Sequence, residues 1–226
     1  MKTFVILLCA GSSSRFGGET KKQFYLIKNK PLLSYSLSTF NDSKRIDEIV
    51  VVTAKEDIEK VKEIVKQFNK VKCVIAGGES RQESVRLGLE QIHENGFVLV
   101  HDAARPLVDG EIISSLLDAL KDADAATPAI KVVDTIVRAE DNELSSYEDR
   151  DHLFRVQTPQ AFKIETLKKA HEQFLGKNAT DDSQLIKLLG LKVAIVLGKE
   201  KLRKVTTLED THAIEAYIEQ NERLQN

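Results

Sequence analysis

Buried strand-like runs alternate with amphipathic helical segments along most of the chain, and this alternation limits the folds open to it. Segments with apolar residues at helical spacing separate several of the runs, and S-x-x-E and T-x-x-E capping boxes at Ser80 and Thr206 begin two helices. This order predicts an α/β fold whose twisted sheet is mostly parallel and flanked by helices. The strand-like runs are Phe4–Cys9, Ile46–Val52, Lys72–Ile75, Phe97–His101, the stretch "DAATPAIKVV" at 124–133, and Lys192–Leu197.

The composition is that of an ordinary globular chain and argues against several classes of function. With 226 residues, the chain fits one domain, 1–226. Its 33 basic and 35 acidic residues leave no overall field that would attract nucleic acid or a membrane surface. The first apolar run is too short to span a membrane and lacks a signal-peptide cleavage site, while Cys9 and Cys73 form neither a disulfide framework nor a zinc motif. We therefore expect a cytoplasmic protein.

One segment, 132–162, breaks the alternation. It contains β-like pieces around a polar Asp-Asn turn and no clear helical pattern. A hairpin with an excursion fits this pattern. Its residues alone leave three interpretations open: a decorative loop, a lid over a substrate, or a dimerisation arm.

The loop after the first strand combines small residues with positive charge. In "LLCAGSSSRFGGETKKQF" (7–24), glycine and serine are followed by the cations Arg15, Lys21 and Lys22. Neither the dinucleotide fingerprint G-x-G-x-x-G nor the P-loop spacing is present. Small residues nevertheless allow backbone N–H groups to approach a phosphate, and cations behind them would neutralise it. An ordinary βα turn with solvated cations remains the alternative at this point.

Three further segments follow predicted strands and carry side chains suited to a phosphorylated ligand. "HDAARP" (101–106) contains Asp102, whose carboxylate could bind a divalent metal. The small residues of "GGESR" (77–81) leave room for a flat base, and "KVTT" (204–207) adds the cation Lys204. Each segment alone also fits a turn or a helix cap. Together with the first loop, they should converge on one edge of the sheet, where α/β proteins bind ligands.

At this level of detail the sequence resembles a known family. It is similar to the 2-C-methyl-D-erythritol 4-phosphate cytidylyltransferases of the non-mevalonate isoprenoid pathway, and the resemblance spans essentially the whole chain. It implies a Rossmann-like nucleotidyltransferase fold. The departures are Cys9 for a usual alanine, Ser13 for a glycine, and Lys21 for a proline. The motifs that carry the resemblance are "LLCAGSSSRF", "KKQF", "GGESRQESV", "VHDAARP", "TPQAF", "TDDS" and "KVTTLED".

The resemblance implies a reaction between two anions. The phosphate of methylerythritol phosphate attacks the α-phosphate of CTP and releases pyrophosphate, so positioning and charge stabilisation are the main tasks of the protein. It further implies that Arg15 and Lys22 stabilise the α-phosphate and that Lys204 and Arg150 position the attacking phosphate. Mg²⁺ or another divalent metal is expected with CTP, bound mainly by the CTP phosphates, with Asp102 as a further ligand.

The remaining implied roles concern binding. Ser84 and the backbone near Ala10 and Gly78 would read the cytosine edge. The nucleotide-binding residues implied are Ala10, Gly11, Ser12, Ser13, Ser14, Gly77, Gly78, Ser84, Asp102 and Ala103. The substrate-binding residues implied are Asp102, Arg105, Thr135, Arg150, Thr158, Thr180 and Lys204.

The resemblance also assigns a role to the irregular segment. As an arm, 132–162 would cross a homodimer interface and carry Thr135 and Arg150 into the active site of the partner. Arg155 lies close by in the same charged stretch, and counting back from Thr158 without a gap favours Arg150. The small-molecule partners expected are thus CTP and methylerythritol phosphate, with a second copy of the chain.

Other readings of the same residues stay open. A ribitol 5-phosphate cytidylyltransferase would share the fold and chemistry but tends to carry HDAVRP, and a non-catalytic nucleotide-binding module would not need intact Arg15, Lys22, Asp102 and Lys204. The missing glycine fingerprint makes a dehydrogenase the weakest alternative. The cyclodiphosphate synthase domain fused to some relatives is not expected here. Most of the five histidines are expected at the surface.

Overall fold

The computed structural model describes residues 1–11, 16–17, 20–177 and 179–225. The helices are α1 (Leu32–Asp42), α2 (Ile58–Val65), α3 (Arg81–Glu90), α4 (Gly110–Ala119), α5 (Ile164–Gln173), α6 (Asp182–Leu188) and α7 (Glu209–Gln225). The strands are β1 (Lys2–Cys9), β2 (Leu26–Ile27), β3 (Lys30–Pro31), β4 (Glu48–Thr53), β5 (Val71–Ala76), β6 (Gly96–Asp102), β7 (Ala125–Lys131), β8 (Val137–Glu140), β9 (Glu143–Tyr147), β10 (Phe154–Val156), β11 (Gln160–Lys163) and β12 (Val193–Leu197).

The main sheet confirms the predicted α/β fold and contains a reversal of strand order at β1. The strands run in the order β5-β4-β1-β6-β11-β7, with β10 beside the end of β7 and β12 on its other side. After β1 the chain moves outward through β4 and β5 and then returns to β6 on the opposite side of β1. Such a switch point opens a crevice at the carboxyl ends of the strands, which here lies between β1 and β6.

Helices cover both faces of this sheet, which explains why the central strands are apolar without alternation. Along β1, Val5 and Leu7 face a core layer shared with α1, α2 and α4. Phe4 and Ile6 face the opposite layer, shared with α3, α5 and α6. Among the described residues, no helix combines the length and the apolar character needed to cross a membrane.

The irregular segment divides into two structural parts. β8 and β9 form a separate two-stranded hairpin whose turn, Asp141–Asn142, has φ angles of 48° and 65°, as suits the predicted Asp-Asn turn. β10 and β11 instead return to the main sheet and run antiparallel to β7. They do so because the chain leaves and re-enters the sheet at the carboxyl end of β7, so it must run back in the opposite direction.

The predicted capping box at Ser80 forms, whereas the one predicted between Thr206 and Glu209 does not. Ser80 Oγ accepts from the backbone N–H of Glu83 at 3.0 Å, but the Glu83 carboxylate bonds to the N–H of Glu79. Before α7, the carboxylate of Asp210 accepts from the backbone N–H of Thr206 at 2.8 Å. The Thr206 hydroxyl also donates to this carboxylate instead of accepting from the N–H of Glu209, so the contact before α7 involves Asp210, one residue beyond the predicted glutamate.

Candidate active site

A cavity of about 360 Å³ lies at the switch point, between the carboxyl ends of β1 and β6. The first loop, the start of α3, and the segment after β6 contribute its walls. The predicted residues that line this first cavity are Ala10, Gly11, Lys22, Gly78, Ser84, Asp102, Ala103 and Lys204.

A second cavity of about 270 Å³ adjoins the first. Three side chains, Arg81, Asp102 and Lys204, line both cavities, and we call them the dividing wall. Two ligands held side by side would meet at this wall. The other predicted residues of the second cavity are Arg105, Thr158 and Thr180.

The dividing wall is held together by charge. Lys204 Nζ lies 2.7 Å from Asp102 Oδ2, and Arg81 Nε lies 3.4 Å from Asp102 Oδ1. Burial alone would raise the pKa of the Asp102 carboxyl, but Arg81 and Lys204 outweigh burial and hold that pKa well below its usual range. Asp102 is therefore a carboxylate at neutral pH, and it holds Lys204 and Arg81 at the boundary between the two cavities.

A buried histidine supports Asp102 from behind. Nε2 of His101 donates to the carbonyl oxygen of Arg105 at 3.0 Å, which leaves Nδ1 to accept from the Thr158 hydroxyl at 3.1 Å. The Thr158 hydroxyl in turn accepts from the backbone N–H of Asp102 at 3.1 Å. This network fixes the end of β6 and so the place of the Asp102 carboxylate.

His101 should make the stability of the protein depend on pH. Burial lowers the pKa of His101 to about 4, below its ordinary 6.5. The unfolded chain therefore binds more protons as the pH falls, and we expect the free energy of unfolding to drop by about 2 kcal/mol between pH 7 and pH 5. Urea denaturation across this range measures the drop, and a flat profile would contradict it. His101→Gln removes the titrating group, so its profile should be flatter than that of the wild type.

The glycines after β5 bring the backbone close to Ser84. A Cβ on Gly77 would lie 2.7 Å from Ser84 Oγ, so a side chain there would displace this hydroxyl. Ser84 Oγ accepts from the N–H of Gly78 at 3.2 Å and donates to the carbonyl oxygen of Ser80 at 2.9 Å. Its single proton is thus used within the loop, which leaves Ser84 able only to accept one further hydrogen bond from a ligand.

The other predicted residues divide between the cavities and the arm. Lys22 Nζ donates to the carbonyl oxygen of Val205 at 3.3 Å, which places the amine near Lys204. Arg105 Nη1 donates to the carbonyl oxygen of Leu202 at 2.7 Å. Thr135 and Arg150 are exposed on the arm and line neither cavity of their own chain. Ser12, Ser13, Ser14 and Arg15 lie outside the described residues.

Sequence reasoning missed Arg81 and the buried histidines. Arg81 stands in the quoted "GGESR" segment, but its Ser-x-x-Glu pattern drew attention to a helix cap rather than to the side chain that follows. His101 and His171 are 0% and 2% exposed, whereas the other three histidines are exposed. His101 is the last residue of the apolar run 97–101, and this position in a buried strand was the sequence signal that could have predicted its burial.

The residues of the wall do not by themselves form a metal site. No cluster of three or more histidine, cysteine, aspartate or glutamate side chains suited to a metal occurs in the part of the chain that is described. Both oxygens of Asp102 already face cations, so a metal ligated there would have to displace Lys204 or Arg81. A divalent ion would therefore depend on ligands that arrive with a substrate.

A larger groove of about 980 Å³ lies between α3 and α5. It does not reach the dividing wall, and Arg86 within it pairs with Glu83 and Glu90. The two cavities at the strand ends, although smaller, are where the buried charges converge. We therefore place the active site there.

An open α/β sheet whose switch point carries a cation-lined cavity defines a protein of the nucleotide-binding α/β class. Comparison with known proteins makes the assignment specific. Residues 3–220 match the family model described as 2-C-methyl-D-erythritol 4-phosphate cytidylyltransferase, and the chain belongs to this family.

Individual relatives agree with this assignment. The 2-C-methyl-D-erythritol 4-phosphate cytidylyltransferase of Clostridium acetobutylicum is 39% identical, with 96% of this chain and 97% of the relative covered. The enzyme of that name from Halalkalibacterium halodurans is 38% identical over 99% of this chain and 100% of its own. The crystal structure of 4-diphosphocytidyl-2C-methyl-D-erythritol synthase from Anaerococcus prevotii superposes with a TM-score of 0.85 at 28% identity, covering 96% of both chains.

Proposed function

We propose that the protein transfers CMP from CTP to 2-C-methyl-D-erythritol 4-phosphate, forming 4-diphosphocytidyl-2-C-methyl-D-erythritol and pyrophosphate for isoprenoid biosynthesis. The observation that carries the proposal is the pair of adjoining cavities with one shared wall of Arg81, Asp102 and Lys204. A reaction that joins two phosphorylated molecules needs two such sites with cations between them. Family membership and the names of the relatives support the choice of substrates.

The nucleotide occupies the first cavity in this proposal. Its cytosine lies by the Gly78 loop, where the close approach of Gly77 to Ser84 leaves little room. Its phosphates lie toward Lys22 and Lys204. The methylerythritol phosphate occupies the second cavity beside Arg105, Thr158 and Thr180.

The chemical step is an in-line displacement at phosphorus. A phosphate oxygen of methylerythritol phosphate forms a bond to the α-phosphorus of CTP, and the bond from that phosphorus to the oxygen bridging to the β-phosphate breaks. The electron pair leaves with pyrophosphate, and the protein forms no covalent intermediate. Lys22, together with Arg15, stabilises the charge that builds up on the α-phosphate oxygens, while Lys204 and Arg150 position the attacking phosphate and reduce the repulsion between the two anions.

The metal and the second subunit complete the proposal. Mg²⁺ or another divalent ion enters as the CTP complex, bound by the phosphates, and Asp102 can join it only by giving up one of its cationic partners. The active protein is a homodimer in which the exposed arm carries Thr135 and Arg150 to the second cavity of the partner. Exposed apolar side chains on the arm, among them Val133 and Tyr147 at 72% and 71% exposure, support a contact there. Two free cysteines are consistent with the cytoplasm as its compartment.

The test is a pyrophosphate-release assay with CTP and Mg²⁺, run in parallel on methylerythritol phosphate and ribitol 5-phosphate. We expect a clear preference for methylerythritol phosphate and loss of activity when EDTA is added. A preference for ribitol 5-phosphate would move the protein to the related activity. No release with either substrate would favour a non-catalytic nucleotide-binding module.

A further inference from the structure

A line of buried charged and polar groups runs from the dividing wall into the core. Arg81 Nη1 lies 2.6 Å from Asp182 Oδ2, and Asp182 Oδ1 lies 2.9 Å from His171 Nε2. The side chains of Asp182 and His171 are only 1% and 2% exposed. Neither lines the first or the second cavity, so neither can touch a ligand there.

We propose that Asp182 and His171 are positioning residues. They hold the Arg81 guanidinium in the dividing wall and so leave the Asp102 carboxylate paired with Lys204. The proposal deepens the proposed function, since its kinetic consequences rest on that reaction. The positions of the three side chains, however, are independent of which reaction the protein catalyses.

The distances indicate which carboxylate fixes Arg81. The contact with Asp182 is short, at 2.6 Å, whereas the contact with Asp102 is 3.4 Å and comes from the Nε atom. Charge-assisted hydrogen bonds are strongest at the shorter distance. Asp182 is therefore the main anchor of the guanidinium, and Asp102 is its looser partner.

This anchoring determines which carboxylate neutralises each cation of the dividing wall. Burial opposes ionisation of Asp182, but Arg81 and then His171 outweigh it and hold the pKa of Asp182 below its usual range. Arg81 is thereby neutralised from the core side, and Asp102 remains paired mainly with Lys204. If the charge of Asp182 were removed, the guanidinium would turn toward Asp102 and compete with Lys204 for its oxygens.

His171 orients the carboxylate of Asp182. A carboxylate only accepts hydrogen bonds, so Nε2 of His171 carries the proton and donates to Oδ1, which directs Oδ2 to Arg81. The other ring nitrogen, Nδ1, is buried and makes no hydrogen bond with the described residues. The hydrogen bond to Asp182 therefore offsets the cost of burying the polar His171 ring between α5 and α6.

Kinetics of three variants separate positioning from mere packing. We expect Asp182→Asn to lower kcat by about 10²-fold and His171→Leu by about tenfold, with KM for both substrates within about threefold, because misplaced charge costs most in the transition state. His171→Gln places an amide N–H near the position of Nε2 and should keep kcat within about threefold of the wild type. Leu167→Ala is the matched control, since Leu167 is buried on α5 and is not one of the residues of the dividing wall.

The control decides between the two explanations. Leu167→Ala should lower the urea midpoint at least as much as His171→Leu, because it leaves a cavity in the core, yet keep the kcat of the folded enzyme. If Leu167→Ala loses as much kcat as His171→Leu, or if His171→Gln is as impaired as His171→Leu, the positioning role is wrong.

A second measurement does not depend on turnover. The Nη1–H signal of Arg81 in an arginine-selective ¹⁵N spectrum, assigned by its loss in Arg81→Lys, reports how firmly Asp182 holds the guanidinium. We expect its hydrogen exchange to be about tenfold faster in Asp182→Asn and His171→Leu than in the wild type and near the wild-type rate in His171→Gln. Unchanged exchange in both variants would overturn the proposal. A wild-type protein without turnover would refute the proposed function, while this measurement would still decide the role of Asp182 and His171.

Discussion

Lys22→Ala is expected to lower kcat by roughly 10²–10³, the scale of removing one preorganised electrostatic group from an active site. The Lys22 side chain lines the first cavity together with Lys204 and Asp102. Its ammonium would face the α-phosphate as negative charge builds up during the displacement. Steady-state pyrophosphate release, with enzyme concentration corrected for folded protein, measures the effect.

The neighbouring lysine provides the matched control for this variant. Lys21 Nζ lies 2.7 Å from both Glu56 and Asp57, so its charge is already neutralised within the chain. Lys21→Ala should therefore keep kcat within about threefold and cost at most about 1 kcal/mol of stability, as is typical of partly exposed ion pairs. Equal losses of kcat in the two variants would mean that the catalytic cation has been assigned wrongly.

Mixed dimers of Lys22→Ala and Arg150→Ala are expected to recover activity that neither homodimer has. In the proposed dimer, each active site takes Lys22 from one chain and Arg150 from the other. One site of a mixed dimer then carries both lesions and the other carries neither. Random mixing gives about half mixed dimers, so about a quarter of all sites are intact, and refolding an equal mixture should restore up to about a quarter of wild-type activity.

The structure of a single chain supports this design. Arg150 donates from Nη1 to the carbonyl oxygen of Val133 at 2.7 Å, and both residues lie on the arm. Arg150 lines neither cavity of its own chain. Arg155, the neighbouring alternative, pairs with Glu200 at 2.8 Å.

Outcomes of the mixing experiment can be read directly. If Arg150 served its own subunit, every site in the mixture would hold a lesion and activity would stay near zero. Mixed dimers verified by mass spectrometry and still inactive would therefore refute the trans role of Arg150. Replacing Arg150→Ala by Arg155→Ala in the same mixture tests which arginine crosses the interface.

Most strands and helices could be predicted from the sequence, because the patterns that indicate them involve only neighbouring residues. The strand at 97–101 and the helix that Ser80 caps depend on neighbouring residues, and β6 and α3 appear where they were predicted. What the local pattern did not predict is that β10 and β11 run antiparallel within the sheet. That direction depends on where the chain leaves β7 and returns from the arm, which is a property of the path and not of any one segment.

The sequence by itself also determined the family and the set of segments around the active site, because strand-end loops in an α/β sheet must meet at one edge. Only the tertiary structure decided how their side chains pair. Residues 81, 102 and 182 are far apart in the chain, and the pattern of each fits a helix cap or a turn. Folding brings Arg81 between Asp102 and Asp182 and buries His171 behind them. Such pairings arise from long-range packing and from the desolvation of charges, which no local spacing encodes.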